Sequence, residues 1–221
     1  MYIILLIVLI FAVFVKFRHT KIKFKTFFKK GFAPQRGRFG VYCYCGKQGS
    51  GKTYSAVEFL LSNKDMKIYS NVRSLKGVKY TPIGGFDDLL KLRSETNCII
   101  FFDEIFTALS KKSSSRLTRQ QSNEVLDFLS QMRKRKIIFI TTAQEWLEMD
   151  MTLRRYCRFQ IECNMINFLG LGLLIKSCYN AEQMRWSAND NEYIAPLVET
   201  TISKCNKKVA DSYDTFEQIK T

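Results

Sequence analysis

Short apolar runs broken by polar or glycine-rich stretches recur along the chain. Residues 39–45 (FGVYCYC), 98–102 (CIIFF) and 136–140 (KIIFI) are brief, nearly uninterrupted and β-favouring. Such runs belong to strands buried on both faces of a parallel sheet. Between them the spacing changes to that of helices. Tyr54, Val57, Leu60 and Leu61 share one helical face, and Val125, Leu126, Phe128, Leu129 and Met132 share another. Alternating strands and helices predict an α/β domain with a central, mainly parallel sheet and flanking helices. Residues 165–175 (MINFLGLGLLI) read as a strand pair turning near Gly170 or Gly172, because the run is too short to span a bilayer. From Pro196 onward the chain reads as a polar tail.

The first 15 residues, MYIILLIVLIFAVFV, are apolar on every face, and Phe17 extends the run past Lys16. A span needs about 17–25 apolar residues, a length reached here if Lys16 and Arg18 extend to the headgroups. The basic flank follows the apolar run and no A-x-A site appears, so the segment reads as an N-terminal transmembrane helix and not a cleaved signal. Basic residues on its C-terminal side place the rest of the chain in the cytoplasm. Gly31, Pro34 and Gly37 then punctuate the sequence. The expected organisation is an anchor at 1–17, a basic linker at 18–38, the α/β domain at 39–195 and a tail at 196–221.

Composition narrows the partners. The 221 residues are 46% hydrophobic with three prolines, which excludes a disordered or collagen-like chain. Lys and Arg number 35 against 20 Asp and Glu, a formal charge of +15. Nine of the basic residues lie in residues 16–38, where no acid occurs. That stretch interleaves charge with Phe24, Phe27, Phe28 and Phe32, and fits an anionic lipid surface, DNA phosphates or a solvated linker equally. The seven cysteines include no C-x-x-C pair and the chain has one histidine, His19. Reduced, buried thiols fit this pattern better than a zinc site or a disulfide framework.

The apolar run at 39–45 leads directly into Gly46-Lys47-Gln48-Gly49-Ser50-Gly51-Lys52-Thr53. This fits G-x-x-x-x-G-K-[ST], and the helical spacing that follows is the context the motif requires. Glycines let main-chain N–H groups approach a phosphate, and the helix N-terminus adds partial positive charge. Lys52 would reach the β- and γ-phosphates of ATP, and the Thr53 hydroxyl would ligate Mg²⁺.

The run at 98–102 ends in Asp103-Glu104. Asp103 at a strand tip suits an acid that holds Mg²⁺ through water, and Glu104 suits one that deprotonates the attacking water. The run at 136–140 ends in Thr141-Thr142-Ala143-Gln144, which puts the Gln144 amide in a position to sense the γ-phosphate. Before it stands Arg133-Lys134-Arg135-Lys136. One of Arg133 and Arg135, or Arg155 later in the chain, is a candidate to neutralise transition-state charge in a neighbouring subunit; a solvated helix end is the alternative. Lys111–Arg119, KKSSSRLTR, is a candidate DNA-phosphate loop.

In order, G-K-Q-G-S-G-K-T, I-Y-S-N-V, I-I-F-F-D-E-I, F-L-S-Q-M-R-K-R-K, I-T-T-A-Q and M-T-L-R-R resemble the small packaging ATPases of tectivirus-like, internal-membrane phages and archaeal viruses, in the FtsK/HerA division of P-loop ATPases. The chain is similar too to the zonula-occludens-toxin-like assembly ATPases of filamentous phages. The resemblance covers about residues 39–163 and implies a RecA/FtsK-like P-loop NTPase fold, ATP and Mg²⁺ as ligands, and a homo-oligomeric ring. It further implies that the ring moves double-stranded DNA into a capsid, with a lipid membrane and capsid vertex proteins as partners. On this sequence it assigns Lys52 and Thr53 to phosphate and metal, Asp103 and Glu104 to the acid pair, Gln144 to the sensor and the Arg133–Arg135 cluster to the trans arginine. Lys136 stands where that family has glycine, and T-T-A-Q replaces T-T-Q. The alternatives are an export ATPase of the filamentous-phage kind and a membrane-tethered nucleotide switch.

Overall fold

An eight-stranded sheet organises the chain in the computed structural model, which describes residues 37–104, 119–147, 149, 154–168, 171–188 and 192–214. Its strands are β1 (Gly40–Cys45), β2 (Lys67–Ser70), β3 (Thr81–Pro82), β4 (Cys98–Phe102), β5 (Ile138–Ala143), β6 (Cys157–Phe168), β7 (Leu171–Asn180) and β10 (Leu197–Lys204). They lie in the order β10-β7-β6-β1-β5-β4-β2-β3. From β6 to β3 every pairing is parallel, while β7 and β10 are antiparallel additions. Two further strands, β8 (Arg185–Ser187) and β9 (Glu192–Ile194), form a separate ribbon.

The alternation along each strand divides the core in two. Val41, Cys43 and Cys45 of β1, with Ile100 and Phe102 of β4, pack beneath α3 (Arg119–Ser130) through its Val125, Phe128 and Leu129. Tyr42, Tyr44, Ile99, Phe101, Ile138 and Ile140 face the other way, onto Ala56, Val57 and Leu60 of α1 (Lys52–Ser62). Both sheet faces are therefore apolar, as parallel strands covered by helices require. A short α2 (Phe86–Lys91) precedes β4. None of the seven cysteines forms a disulfide, and six are buried. Burial pushes the Cys43 and Cys157 thiols well above their ordinary range, which keeps them protonated packing groups.

Three expectations change. The strand expected at 136–140 is displaced to Ile138–Ala143, so Thr141 and Thr142 are buried strand residues and Gln144 is the first residue beyond the tip. Lys136 adopts a left-handed backbone, φ 57°, in the turn that enters β5, the conformation a glycine would take there. The sequence from Pro196 is not a tail. Its β10 pairs with β7, and α4 (Lys207–Ala210) buries Val209 against the α1 side. An edge strand meets the core along little of its surface, so its polar composition hid it.

The expected strand pair at 165–175 is the β6–β7 hairpin, with Phe168 opposite Leu171. The anchor at 1–17, the linker through Arg36 and the Lys111–Thr118 part of the basic loop lie outside the described residues. Among the described residues no helix is long and apolar enough to cross a membrane.

Candidate functional site

The C-terminal ends of β1, β4 and β5 meet at one edge of the sheet, and the candidate residues gather there. Beyond Cys45 the chain turns through Gly46–Gly51 into α1. Gly46 (φ 146°), Gly49 (φ 76°) and Gly51 (φ 90°) all adopt positive φ, which a side chain disfavours. The Gly46 N–H is shared between the carbonyls of Ala143 at 3.3 Å and Gln144 at 3.2 Å, which ties the loop to the tip of β5. Ser50 N–H donates to the Lys47 carbonyl at 3.0 Å, closing the turn around Gln48 and Gly49. The first turn of α1 carries no acidic residue, so its partial positive charge is not neutralised. Lys52 Nζ bends back across the loop and donates to the carbonyls of Gly46 at 2.7 Å and Lys47 at 3.0 Å. The result is a concave, electropositive loop of main-chain donors suited to a polyphosphate.

Thr53 reaches the neighbouring acid. Its Oγ1 donates to Asp103 Oδ2 at 3.1 Å, and the Thr142 hydroxyl donates to Asp103 Oδ1. Asp103 is buried at 5% exposure, and burial is the largest influence on its carboxyl, raising its pKa. The hydrogen bonds from Thr142 and Thr53 oppose that rise, Glu104 adds to it, and Lys52 lowers it. Thr53 and Asp103 thus offer two hard oxygen ligands side by side, which fits Mg²⁺. No group of three or more His, Cys, Asp or Glu among the described residues could hold an ion by itself. An ion here would need phosphate oxygens and water to complete its shell, the usual arrangement for magnesium on a nucleotide.

Glu104 follows in a left-handed conformation, φ 56°, with its side chain exposed. Its N–H donates to Thr142 Oγ1 at 3.1 Å. Gln144 is exposed at the tip of β5, beside Gly46. Lys47, Gln48, Gly49, Ser50 and Gly51 form the loop as the motif requires. Two residues not singled out from the sequence stand at its centre. Thr142 makes the side-chain contact between β5 and the acid pair. Asn71, at the end of β2, hydrogen-bonds both main-chain groups of Asp103. A polar residue ending an apolar strand run was the available signal for both.

The arginines lie elsewhere. The 131–136 turn enters β5 at its N-terminal end, and six strand residues at about 3.3 Å each put it about 20 Å from the loop edge. There Arg133 Nη1 donates to Glu182 Oε1 at 2.8 Å, and Arg135 binds Gln131 Oε1 through Nε at 3.0 Å and Nη2 at 2.8 Å. Neither serves the site of its own chain. Arg155 is exposed before β6.

A cleft of about 890 Å³ opens on the other side of the loop, between Gly46, Lys47 and Gln144 and the β6–β7 surface carrying Gln160, Glu162 and Tyr179.

Residues 42–166 match the family described as ATPase family associated with various cellular activities (AAA). The chain belongs to that family. Among solved structures this AAA domain is similar to the N-terminal domain of zonular occludens toxin from Neisseria meningitidis, with TM-score 0.51 and 18% identity over 80% of this chain and 100% of that one. That likeness is one of fold. Looser likenesses are to the flagellar accessory protein FlaH from Methanocaldococcus jannaschii (TM-score 0.45, 12% identity, 74% of this chain and 89% of that one) and to the genome packaging NTPase B204 from Sulfolobus turreted icosahedral virus 2 in complex with ATP-gammaS (TM-score 0.44, 9% identity, 71% and 96%). No curated protein matches the chain.

Proposed function

We propose that this AAA protein hydrolyses ATP and uses the energy to move double-stranded DNA into a viral capsid, as a membrane-anchored homo-oligomeric ring. The observation that carries the hydrolytic part is the convergence of the Gly46–Thr53 loop with Asp103 and Glu104 at one edge of the sheet. Main-chain N–H groups of the loop and the N-terminus of α1 bind the phosphates, and Lys52 neutralises charge developing on the β–γ bridge. Thr53 and Asp103 hold magnesium, which supplies charge neutralisation on the phosphate oxygens. Glu104 accepts the proton of the water that attacks the γ-phosphorus, and Gln144 orients that water.

The coupling to DNA is supported by the motif order and by the basic charge of +15. The anchor is supported by the apolar run at 1–17, and the ring by arginines that have no role in the site of their own chain. Steady-state ATP hydrolysis by the purified full chain, with and without double-stranded DNA, tests the proposal. Expected are Mg²⁺-dependent turnover that rises with DNA, and a fall of about 10²–10⁴-fold for Glu104→Gln with nucleotide binding retained. Equal, negligible rates in wild type and Glu104→Gln would identify a nucleotide switch. Turnover indifferent to DNA would remove the motor.

A further inference from the structure

We propose that Met165, on the part of the β6–β7 hairpin that projects past the phosphate loop, is the platform for the purine base of a bound nucleoside triphosphate. The inference rests on the nucleotide-binding reading of that loop. β1 ends at Cys45, opposite Glu162, whereas β6 continues to Phe168 and the chain returns from Leu171. The six residues beyond Glu162, at about 3.3 Å each, carry the hairpin about 20 Å past the end of β1. This part is braced from outside: Leu174 pairs with Ser203 of β10, and Cys205 N–H donates to the Gly172 carbonyl at 2.8 Å. Strand alternation decides which side chains turn towards α1. Cys163 does, with Sγ 3.6 Å from Ser55 Oγ in the first turn of the helix. Met165 is the next residue on that side and stands at the N-terminal end of the helix. A Cβ on Gly51 would lie 3.0 Å from Met165 Cε and 2.8 Å from Leu174 Cδ1. Leu174 is fully buried, but Met165 is 37% exposed. An open apolar surface therefore adjoins the start of α1.

The direction of the nucleotide selects this surface over the cleft. Lys47 and Gln144 border the cleft, and on the hydrolytic reading Gln144 meets the attacking water, so the cleft lies at the γ-phosphate end. The nucleoside leaves from the opposite end, past the main-chain N–H groups of Lys52, Thr53 and Tyr54. These precede the first helical hydrogen bond, from Ser55 N–H to the Gly51 carbonyl at 2.9 Å, and so suit the α-phosphate. Beyond them stands Met165. A thioether is polarisable and makes favourable contacts with aromatic rings. It is at most a weak acceptor, so it holds the ring system without distinguishing the edge groups of adenine from those of guanine. The ligand class is a purine nucleoside triphosphate. Inorganic tripolyphosphate, which has no base, gains nothing from Met165.

The test measures dissociation constants for the Mg²⁺ complexes of ATP, GTP and inorganic tripolyphosphate. It uses the full chain carrying Glu104→Gln, with Met165 intact, with Met165→Ala and with Met165→Phe, and reads the melting temperature of each. With Met165 intact, ATP should bind about tenfold or more tightly than tripolyphosphate. Met165→Ala is expected to weaken ATP and GTP alike, by about 3- to 10-fold, while tripolyphosphate changes by less than about twofold. Met165→Phe should restore purine binding, because an aromatic ring stacks on a base. Melting temperature should not move, since the side chain is exposed. An equal loss for all three ligands would mean that Met165 merely supports the loop, and would overturn the platform. So would unchanged ATP binding, a loss confined to one purine, or equal affinity of the Met165 protein for ATP and tripolyphosphate. If Met165→Ala loses its cooperative melt, Met165→Gln is read in its place by the same criteria. A Met165 protein that binds none of the three ligands would overturn the nucleotide reading and the platform together, whereas tripolyphosphate binding without a base effect would overturn the platform alone.

Discussion

Thr53 and Asp103, fifty residues apart in sequence, meet with the threonine hydroxyl 3.1 Å from a buried carboxylate oxygen. The contact links the first turn of α1 to the tip of β4, so the two halves of the phosphate and metal site share one hydrogen bond. It also exposes a cost. Burial raises the pKa of Asp103, and the folded chain therefore holds its proton more tightly than the unfolded chain does. Stability from this group is highest below the ordinary carboxyl range, declines as pH rises from there to the raised value, and stays reduced above it. Asp103→Asn should remove this dependence. Its amide can still accept from Thr142 and exchange a hydrogen bond with Thr53. At neutral pH the variant is expected to be more stable and to melt at a higher temperature, while Mg²⁺-dependent hydrolysis is lost. Thermal melts across pH 3–8 check both signs, and a less stable Asp103→Asn at neutral pH would contradict the account.

The loop glycines should differ in what they tolerate. A Cβ on Gly46 would lie 2.5 Å from Ser50 Oγ and 2.7 Å from the Cys163 carbonyl, and a main-chain oxygen has little freedom to give way. Around Gly49 nothing lies within 4 Å, so only its positive φ resists a side chain. Gly46→Ala is expected to cost about 2–3 kcal/mol and Gly49→Ala about 1–2 kcal/mol. Urea denaturation of the two variants measures the ordering.

How much of this was readable in advance follows from where each residue's constraint is encoded. The phosphate loop is local: its glycines, lysine and threonine are contiguous, and the flanking strand and helix announce themselves by period. Asp103 and Glu104 were legible because a buried strand ends in two acids. Thr142 and Asn71 were not, since their roles depend on β2, β4 and β5 lying side by side, an order set by tertiary packing. The register of β5 slipped for a related reason. Thr141 and Thr142 look like a polar end, yet threonine is a good strand residue and both are buried. β10 was missed because edge position decouples a strand's composition from burial.

Lys136 offers a test of local strain. Its φ of 57° stands in the turn where Asn97 N–H donates to the Arg135 carbonyl at 3.0 Å. A left-handed non-glycine residue costs about 1–2 kcal/mol, and the greater freedom of glycine in the unfolded chain returns about 0.4–1 kcal/mol of that. Lys136→Gly should therefore stabilise the domain by roughly 0.5–1 kcal/mol, visible as a higher denaturation midpoint at unchanged slope.

Arg133 and Arg135 separate a structural role from one in trans. The Arg133–Glu182 pair is solvent-exposed at 58% and 42%, so Arg133→Ala should cost less than about 1 kcal/mol of stability. If the ring reading holds and this arginine serves a neighbour, hydrolysis should fall about 10³-fold or more. Mixing Arg133→Ala with Lys52→Ala subunits should then restore part of the rate, because mixed interfaces pair an intact loop with an intact arginine. No recovery in the mixture would leave the turn a structural one.

The C-terminal segment should prove indispensable to the nucleotide site. β10 covers the outer edge of β7, whose unpaired N–H and C=O groups would otherwise template association between chains. Beyond it, Asn206 N–H donates to the Tyr54 hydroxyl at 2.6 Å, and Tyr54 is the residue next to Thr53 in α1. Val209 seals the same side of the core. Ending the chain after Ala195 therefore uncovers a long edge and removes a brace on the helix that carries the phosphate ligands. That truncation is expected to aggregate or to lose its cooperative melt, unlike the full-length chain. Size-exclusion chromatography and thermal denaturation of the truncation beside the full-length chain, with a fluorescent ATP analogue as the binding probe, measure this. A soluble, nucleotide-binding 1–195 chain would mean that β6 and β7 alone close the sheet.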